Sequence, residues 1–466
     1  MNRRCIKEIR QVEHMKKNLT FKELIFVASM LFGMFFGAGN LIFPIFMGQL
    51  AGNHVWMASA GFLITGVGLP LLGVAALGVS QKEGLLELSS QVGRKYGVFF
   101  TCLLYLTIGP FFAIPRCATV SFTVGIEPFL SEGQKTAGLG VFSFLFFVVV
   151  LFFSLRPGQI LTWIGKILNP LFLVLLSIFV IRALLSPAGR IGEIEASGVY
   201  ASGAFSTGLL EGYNTMDALA GLAFGIIVVN VIRSLGIKES GAVAKNTVKA
   251  GLFSSVLMAL IYVLVAVVGA QSRGVFPAAA NGGEAFAIIS EYYFGKTGQI
   301  ILALIFAVAC LKTAIGLVTS CGETFEKIFP KGPSYRVWAV VFSIVSFLIA
   351  NIGLDAIIAY SVPVLMFLYP LAVTLIFLTL FGRLFGNDRR VYGWVTAFTG
   401  AAAVFDFVKA LPKGTDLIVR IQEMFGTVSN LLPMSAYGFG WVCPALTGLI
   451  IGLIVCRCSG RKRKRD

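Results

Sequence analysis

Hydrophobic residues in this chain gather into long runs separated by short polar loops, not at the two-residue or three-to-four-residue spacing of a soluble core. A run of roughly 18 apolar residues crosses hydrocarbon as a helix. Twelve spans can be read, near 23–50, 55–79, 97–125, 139–155, 160–185, 199–232, 247–271, 297–323, 336–351, 354–381, 391–409 and 436–456, of which 139–155 and 336–351 are the shortest. The pattern predicts an all-α polytopic membrane protein with 12 transmembrane helices. Hydrophobic residues make up 57% of the chain and charged residues 13%, against about 25% charged in soluble domains.

Two spans are interrupted by residues that do not suit a plain helix in lipid, where every backbone polar group must be paired internally. The first holds Gly33-Met-Phe-Phe-Gly-Ala-Gly-Asn-Leu-Ile-Phe-Pro44. Gly33 and Gly37, four residues apart, make a face for close helix packing. Gly39, Asn40 and Pro44 lie outside that account. They fit an unwound segment, which membrane depth tolerates only where backbone is buried in protein or lines a watery cavity. Freed N–H and C=O groups in such breaks bind solutes and ions in secondary transporters. Packing and binding both remain open for this segment.

The sixth span holds the second interruption, Gly208-Leu-Leu-Glu-Gly-Tyr-Asn-Thr-Met-Asp217. The two breaks lie an odd number of spans apart, so their helices enter from opposite faces, as an inverted repeat requires. This predicts a first five-helix unit over 23–185, a second over 199–381 and two appended helices over 391–456. A cytoplasmic tail over 1–22 and a basic cytoplasmic tail over 457–466 flank them. Pro110 and Pro115 in the third span, Pro170 in the fifth, and Pro363 and Pro370 in the tenth each remove a helix hydrogen bond and can kink their helices.

The net charge of +16 changes the orientation more than the class. Lys and Arg concentrate in alternate loops: Arg3 to Lys22, Lys82 to Lys95, Arg156, Arg233 to Lys249, Lys327 to Arg336, Arg383 to Arg390, and the tail from Arg457 to Arg465. The positive-inside rule then puts both termini in the cytoplasm. The excess also suits anionic lipid, and nucleic acid is not an expected partner. No cleavable signal peptide is expected, and Met15 offers an alternative start to Met1. The eight cysteines have no CxxC spacing, and His14 and His54 stand at membrane edges, so no zinc site and no cofactor are expected. Cys456 and Cys458 are juxtamembrane, read as reduced thiols with lipidation as the alternative. An enzyme would need a nucleophile–base set or an HExxH-type motif, and a channel a repeated filter or a ring of charge; neither pattern is visible.

Four segments together resemble a known family: Phe36-Gly-Ala-Gly-Asn-Leu-Ile-Phe-Pro44, Gly61-Phe-Leu-Ile-Thr-Gly-Val-Gly-Leu-Pro70, Leu104-Tyr-Leu-Thr-Ile-Gly-Pro-Phe-Phe-Ala-Ile-Pro-Arg116 and Glu211-Gly-Tyr-Asn-Thr-Met-Asp-Ala-Leu219. They look like the branched-chain amino acid:cation symporter family, whose bacterial members are system II carriers for leucine, isoleucine and valine. The resemblance runs from about residue 21 to 456. It implies a LeuT-type 5+5 inverted repeat plus two extra helices, and cation-coupled uptake across a bacterial inner membrane, with H+ or Na+ as the coupling ion. A carrier for other neutral amino acids, such as methionine, or an uncoupled carrier, is the alternative.

For a zwitterionic amino acid substrate, N–H groups freed around Gly37, Ala38 and Gly39 at a half-helix N-terminus suit the carboxylate. Carbonyls freed around Gly212, Tyr213, Asn214 and Thr215 suit the ammonium. Phe111, Phe112 and Tyr213 are candidates for the pocket wall, and one methylene is worth only about 1–3 kcal/mol of selection, so leucine, isoleucine and valine should all enter. Asn40 reads as a helix cap, and the resemblance adds a role in holding a cation. Glu211 and Asp217 either carry a coupling proton or brace the bundle, for instance by pairing with Arg116 or Lys312. The resemblance places a sodium site on the carbonyls of Gly33 and Phe36 and on side chains at 312 and 313. Here those side chains are Lys312 and Thr313 where the family pattern has two hydroxyls, so an ammonium is expected in the place of sodium, or else turned to the cytoplasmic side or paired with Asp217.

Overall fold

The computed structural model describes residues 17–80, 82, 84–412, 416–430, 432–435 and 438–462. The basic segment before Lys17, with His14 and Met15, and the run from Arg463 to Arg465 lie outside the described residues. Among those described, the chain is all helical, with no strand. Nine of its helical stretches are long and apolar enough to cross a membrane, and Tyr335–Ala350 and Val442–Cys458 are shorter apolar helices.

The first apolar run forms two helices, α1 (Phe21–Phe35) and α2 (Ala38–Ala51). Thr20 and Glu23 start α1 with a reciprocal capping box: the Glu23 N–H donates to Thr20 Oγ1 at 3.3 Å and the Thr20 N–H to Glu23 Oε2 at 2.8 Å. Gly52, at φ +48°, ends α2 in a conformation that favours glycine. The chain then turns into α3 (Val55–Leu63) and α4 (Leu69–Ser80), joined by a π-type turn over Ile64–Gly68. After the short α5 (Leu85–Ser89), the third apolar run divides into α6 (Arg94–Leu106) and α7 (Ala113–Gly125). The division falls at Gly109 (φ −92°, ψ −123°) beside Pro110, so the prolines noted in this span sit at a third break.

Next come α8 (Lys135–Ser154), a π-type segment over Leu161–Leu168, and α9 (Asn169–Leu185). The second interrupted run forms α10 (Tyr200–Asn214) and α11 (Asp217–Ser234). Then follow α12 (Ser240–Ser272), α13 (Gly282–Phe294), α14 (Lys296–Ile328), α15 (Tyr335–Ala350), α16 (Leu354–Phe381), α17 (Arg389–Ala410), α18 (Asp416–Asn430) and α19 (Val442–Lys462). Neither α13 nor α18 was expected from the apolar runs. Both are helices in segments too polar or too short to span.

The two interrupted helices sit at the centre. α2 packs on α12, α10 on α3, and α11 on α4, with almost the whole of α11 buried. These seams run at backbone contact: a Cβ on Gly48 or Gly269 would strike the Ala266 or Ile45 carbonyl, and one on Gly208 would strike the Ala58 carbonyl. Gly33 and Gly37, read as a packing face, are also tightly approached, Gly33 by Ile164 and Asn169 and Gly37 by Thr313. Around this bundle, α7 packs on α14, α8 on α15, and α17 on both α16 and α19.

Candidate functional site

The two breaks face each other and are tied by one hydrogen-bonded cluster. Phe36 (φ −79°, ψ 86°) and Gly37 (φ −107°, ψ −156°) run out of helical geometry between α1 and α2. Asn40 Oδ1 accepts the Gly37 N–H at 2.9 Å and so caps the restart of α2. The other side of the Asn40 amide donates to Asp217 Oδ2 at 2.5 Å and to the Tyr262 hydroxyl. The Tyr262 hydroxyl in turn donates to Asp217 Oδ2 at 2.8 Å. Asp217 opens α11, where a carboxylate suits the helix dipole. It follows Met216, whose φ of +64° gives the second break its sharp turn. The expectation that Asn40 is a cap is met, and the same side chain joins one half-helix to the other.

A narrow cavity of about 30 Å³ lies between the breaks. That is room for a water or two rather than a leucine, so this is a closed form of the site. Asn40, Arg116, Thr215, Asp217 and Thr313 supply its polar wall, and Met34, Phe35, Ile108, Ala113, Ala220, Phe224 and Leu317 its apolar wall. Arg116 comes from α7, just beyond the third break. It is 6% exposed, donates from Nη1 to the Asn214 carbonyl at 3.2 Å, and lies 5.8 Å from the centre of the Phe43 ring. A Cβ on Gly39 would come within 3.1 Å of Arg116 Nη2 and 3.2 Å of the Phe43 ring.

The residues singled out in the sequence divide between this cavity and its surroundings. Gly37, Ala38, Gly39, Asn40, Thr215, Asp217 and Thr313 line it. The N–H groups of Ala38 and Gly39 stand in the first turn of α2, where a helix supplies no acceptor of its own. Pro44 has no N–H to offer the Asn40 carbonyl four residues back. The second break is more fully engaged. The Gly212 carbonyl accepts the Thr215 hydroxyl at 2.9 Å, the Tyr213 carbonyl the Met216 N–H at 3.1 Å, and the Asn214 carbonyl Arg116.

Gly212 backs onto Thr65 and Gly66, and Tyr213 stacks on Tyr369 at 4.2 Å, facing an outer groove rather than the cavity. Glu211 accepts the Asn214 side-chain amide at 3.1 Å. Phe111 is 41% exposed and packs edge-on against Phe112; neither ring is part of the cavity wall.

Lys312 is fully buried in the seam between α1, α9 and α14. Its Nζ donates to Asn169 Oδ1 at 3.1 Å and sits 3.7 Å from the centre of the Phe172 ring, with Phe32 and Phe36 at 5.0 and 5.7 Å. Thr313, one residue on, donates from its hydroxyl to the Gly33 carbonyl at 3.5 Å. The described residues show no ion pair joining Asp217 to Arg116 or to Lys312; Asp217 is braced by neutral donors instead. A buried cation held by an amide and aromatic faces is costly to orphan and cheap to replace. Lys312→Met should therefore melt at or above the parental temperature in detergent. Asn169→Leu, which strips the ammonium of its acceptor, should destabilise by about 1–3 kcal/mol or more. Equal melting of all three proteins would show that the contact carries no weight.

Sequence reasoning undervalued Arg116 as a site residue and passed over Tyr262 and Asn169. A tyrosine and an asparagine inside apolar helices were the available signal, since each needs a buried partner. Among the described residues no group of three or more His, Cys, Asp or Glu side chains gathers in a metal-holding arrangement.

The family model described as branched-chain amino acid transport protein matches residues 20–459. The branched-chain amino acid permease BrnQ of Lactobacillus delbrueckii subsp. lactis is 53% identical over 431 residues, covering 92% of this chain and 96% of that relative. The permease BrnQ of Bacillus subtilis is 43% identical over 441 residues, covering 95% and 98%. Among solved structures, Mhp1, a nucleobase-cation-symport-1 family transporter in a closed conformation with bromovinylhydantoin bound, superposes with a TM-score of 0.61 at 14% identity, covering 94% of this chain and 93% of that one. That likeness shows a common fold. With a match from residue 20 to 459 and relatives this similar along nearly their whole length, the chain belongs to the branched-chain amino acid transport protein family.

Proposed function

We propose that this protein is a secondary transporter that imports leucine, isoleucine and valine across a bacterial inner membrane, coupled to a proton or sodium gradient by alternating access. The observation that carries the reading is the cavity between two helix breaks, polar on one wall and apolar on the other. A zwitterion with a branched aliphatic side chain has that division. Its carboxylate would meet the Ala38 and Gly39 N–H groups, its ammonium the Thr215 and Asp217 side, and its side chain the wall of Phe35, Ile108, Phe224 and Leu317. Thr313 and the Gly33 and Phe36 carbonyls are the candidate sodium ligands, and Asp217 the candidate proton carrier. Uptake of labelled leucine into proteoliposomes under separately imposed sodium and proton gradients tests both parts. Accumulation should follow one gradient and be suppressed by excess isoleucine or valine but not by lysine or glutamate. Suppression by methionine alone would reassign the substrate.

The finer architecture belongs to the same proposal: twelve spans, arranged as five-helix units over 23–185 and 199–381 with 391–456 appended. The packing supports it, because α7 with α14 and α8 with α15 are the pairs that a two-fold inverted repeat would bring together. Both termini would then be cytoplasmic. In intact cells, an impermeant thiol reagent should modify cysteines introduced within 186–198 or 411–433 and spare those placed in 234–245 or after Cys458. Labelling of 234–245 from outside would overturn the orientation.

A further inference from the structure

We infer that Arg116 is a substrate-binding residue, its guanidinium gripping the carboxylate of the amino acid together with the Ala38 and Gly39 N–H groups. The inference rests on the amino acid transport reading above and adds to it the group that recognises one end of the substrate.

Arg116 is buried at membrane depth, and no carboxylate among the described residues forms a contact ion pair with it; Asp217, on the same cavity, acts on it only through space. A charge in that position is expensive unless something pays for it. The groups in contact with it are neutral: the Asn214 carbonyl through Nη1 and the face of Phe43. Nη2 is turned toward the first turn of α2, close enough that a Cβ on Gly39 would lie 3.1 Å away. First-turn N–H groups, the positive end of a helix dipole and a guanidinium thus converge on one spot. A planar fork of donors is the side chain best matched to a carboxylate.

The other acid in the cavity does not compete for that fork. Asp217 is held by Asn40 and Tyr262 and forms no ion pair with Arg116. The fork itself is left without a carboxylate in contact, and one that comes and goes would complete it. When it is absent, the Asn214 carbonyl keeps one donor occupied. Because Asn214 ends α10, the first half of the second interrupted span, arrival of a carboxylate at Arg116 would also be felt at the second break.

The test compares leucine with leucinamide, which keeps the ammonium and side chain but lacks the carboxylate. Binding to the purified full-length protein is measured by competition against labelled leucine or labelled leucinamide, for the parent, Arg116→Gln and Arg116→Lys. The parent should prefer leucine. Arg116→Gln should weaken leucine by roughly 30-fold or more, the usual scale for removing one partner of a buried charge pair, while leucinamide binds as before. Loss of both ligands in equal measure, or an unchanged preference for leucine, overturns the inference. Should Arg116→Gln fail to fold, Arg116→Lys decides on the same terms, since a point cation cannot reproduce the fork. A parent that binds leucinamide as well as leucine also overturns it, while leaving the substrate assignment standing. A parent that binds methionine in place of leucine removes that assignment, and the pair methionine and methioninamide then tests Arg116 in the same way.

Discussion

Gly39→Leu should reduce leucine uptake to background while the protein inserts and purifies at near-parental yield. The first atom of the new side chain would already lie 3.1 Å from Arg116 Nη2 and 3.2 Å from the Phe43 ring, and the remainder would fill the polar end of the cavity. Both neighbours are long side chains that can give way, so the cost to folding should stay near the 1–3 kcal/mol typical of overpacking, roughly. Gly48→Leu makes the useful contrast. Its side chain would meet the Ala266 backbone carbonyl, which has no freedom to rotate aside, so folded protein itself should be lost. Uptake per molecule in proteoliposomes, set beside the yield of monodisperse protein, separates the two cases. Near-normal transport per molecule in Gly39→Leu would mean that the glycine serves packing and not the site.

Asp217→Leu should cost both stability and transport. The Asn40 amide and the Tyr262 hydroxyl would lose a common acceptor in a closed interior. Each orphaned buried donor is worth about 1–3 kcal/mol, and the loss falls where the two half-helices are joined. Asp217→Asn keeps an acceptor oxygen there and should recover most of the melting temperature. Melting in detergent gives the first comparison, and a parental value for Asp217→Leu would refute the bracing role. Uptake by Asp217→Asn gives the second. If the carboxylate also carries the coupling proton, this variant should equilibrate leucine across the vesicle membrane without concentrating it.

Much of this arrangement was legible in the sequence for a simple reason. Glycines and polar residues inside an apolar run have to be explained by broken backbone, and both predicted breaks are present, at Phe36–Gly37 and Thr215–Met216. Direction was not legible. A break tells where a helix opens but not which way each neighbouring side chain turns, so Tyr213, beside the second break, faces Tyr369 and the outer groove rather than the cavity. Arg116 shows the converse. In sequence it is one more basic residue after a proline, and only the path of the chain through Gly109 turns α7 so that the guanidinium enters the site. Lys312 had three readings: in the place of sodium by the Gly33 and Phe36 carbonyls, turned to the cytoplasmic side, or paired with Asp217. It reaches instead to Asn169, and the adjacent Thr313 meets Gly33, because a helix aims consecutive side chains about 100° apart.

The glycine seams have a mechanical meaning. α2 is fastened along its length at backbone distance: Gly48 to Ala266, Gly269 to Ile45, and Gly282 of α13 to Ile42. Two rods meshed this closely have no slack for sliding or tilting past one another, since every shift would drive main chain into main chain. A motion that opens the cavity is then expected to carry α2, α12 and the start of α13 together, with the unwound pair Phe36–Gly37 as the place for it to bend. A short covalent tether between α2 and α12 should leave turnover intact, for it would lock a joint already meshed at backbone distance; loss of turnover on tethering would show that the two helices part.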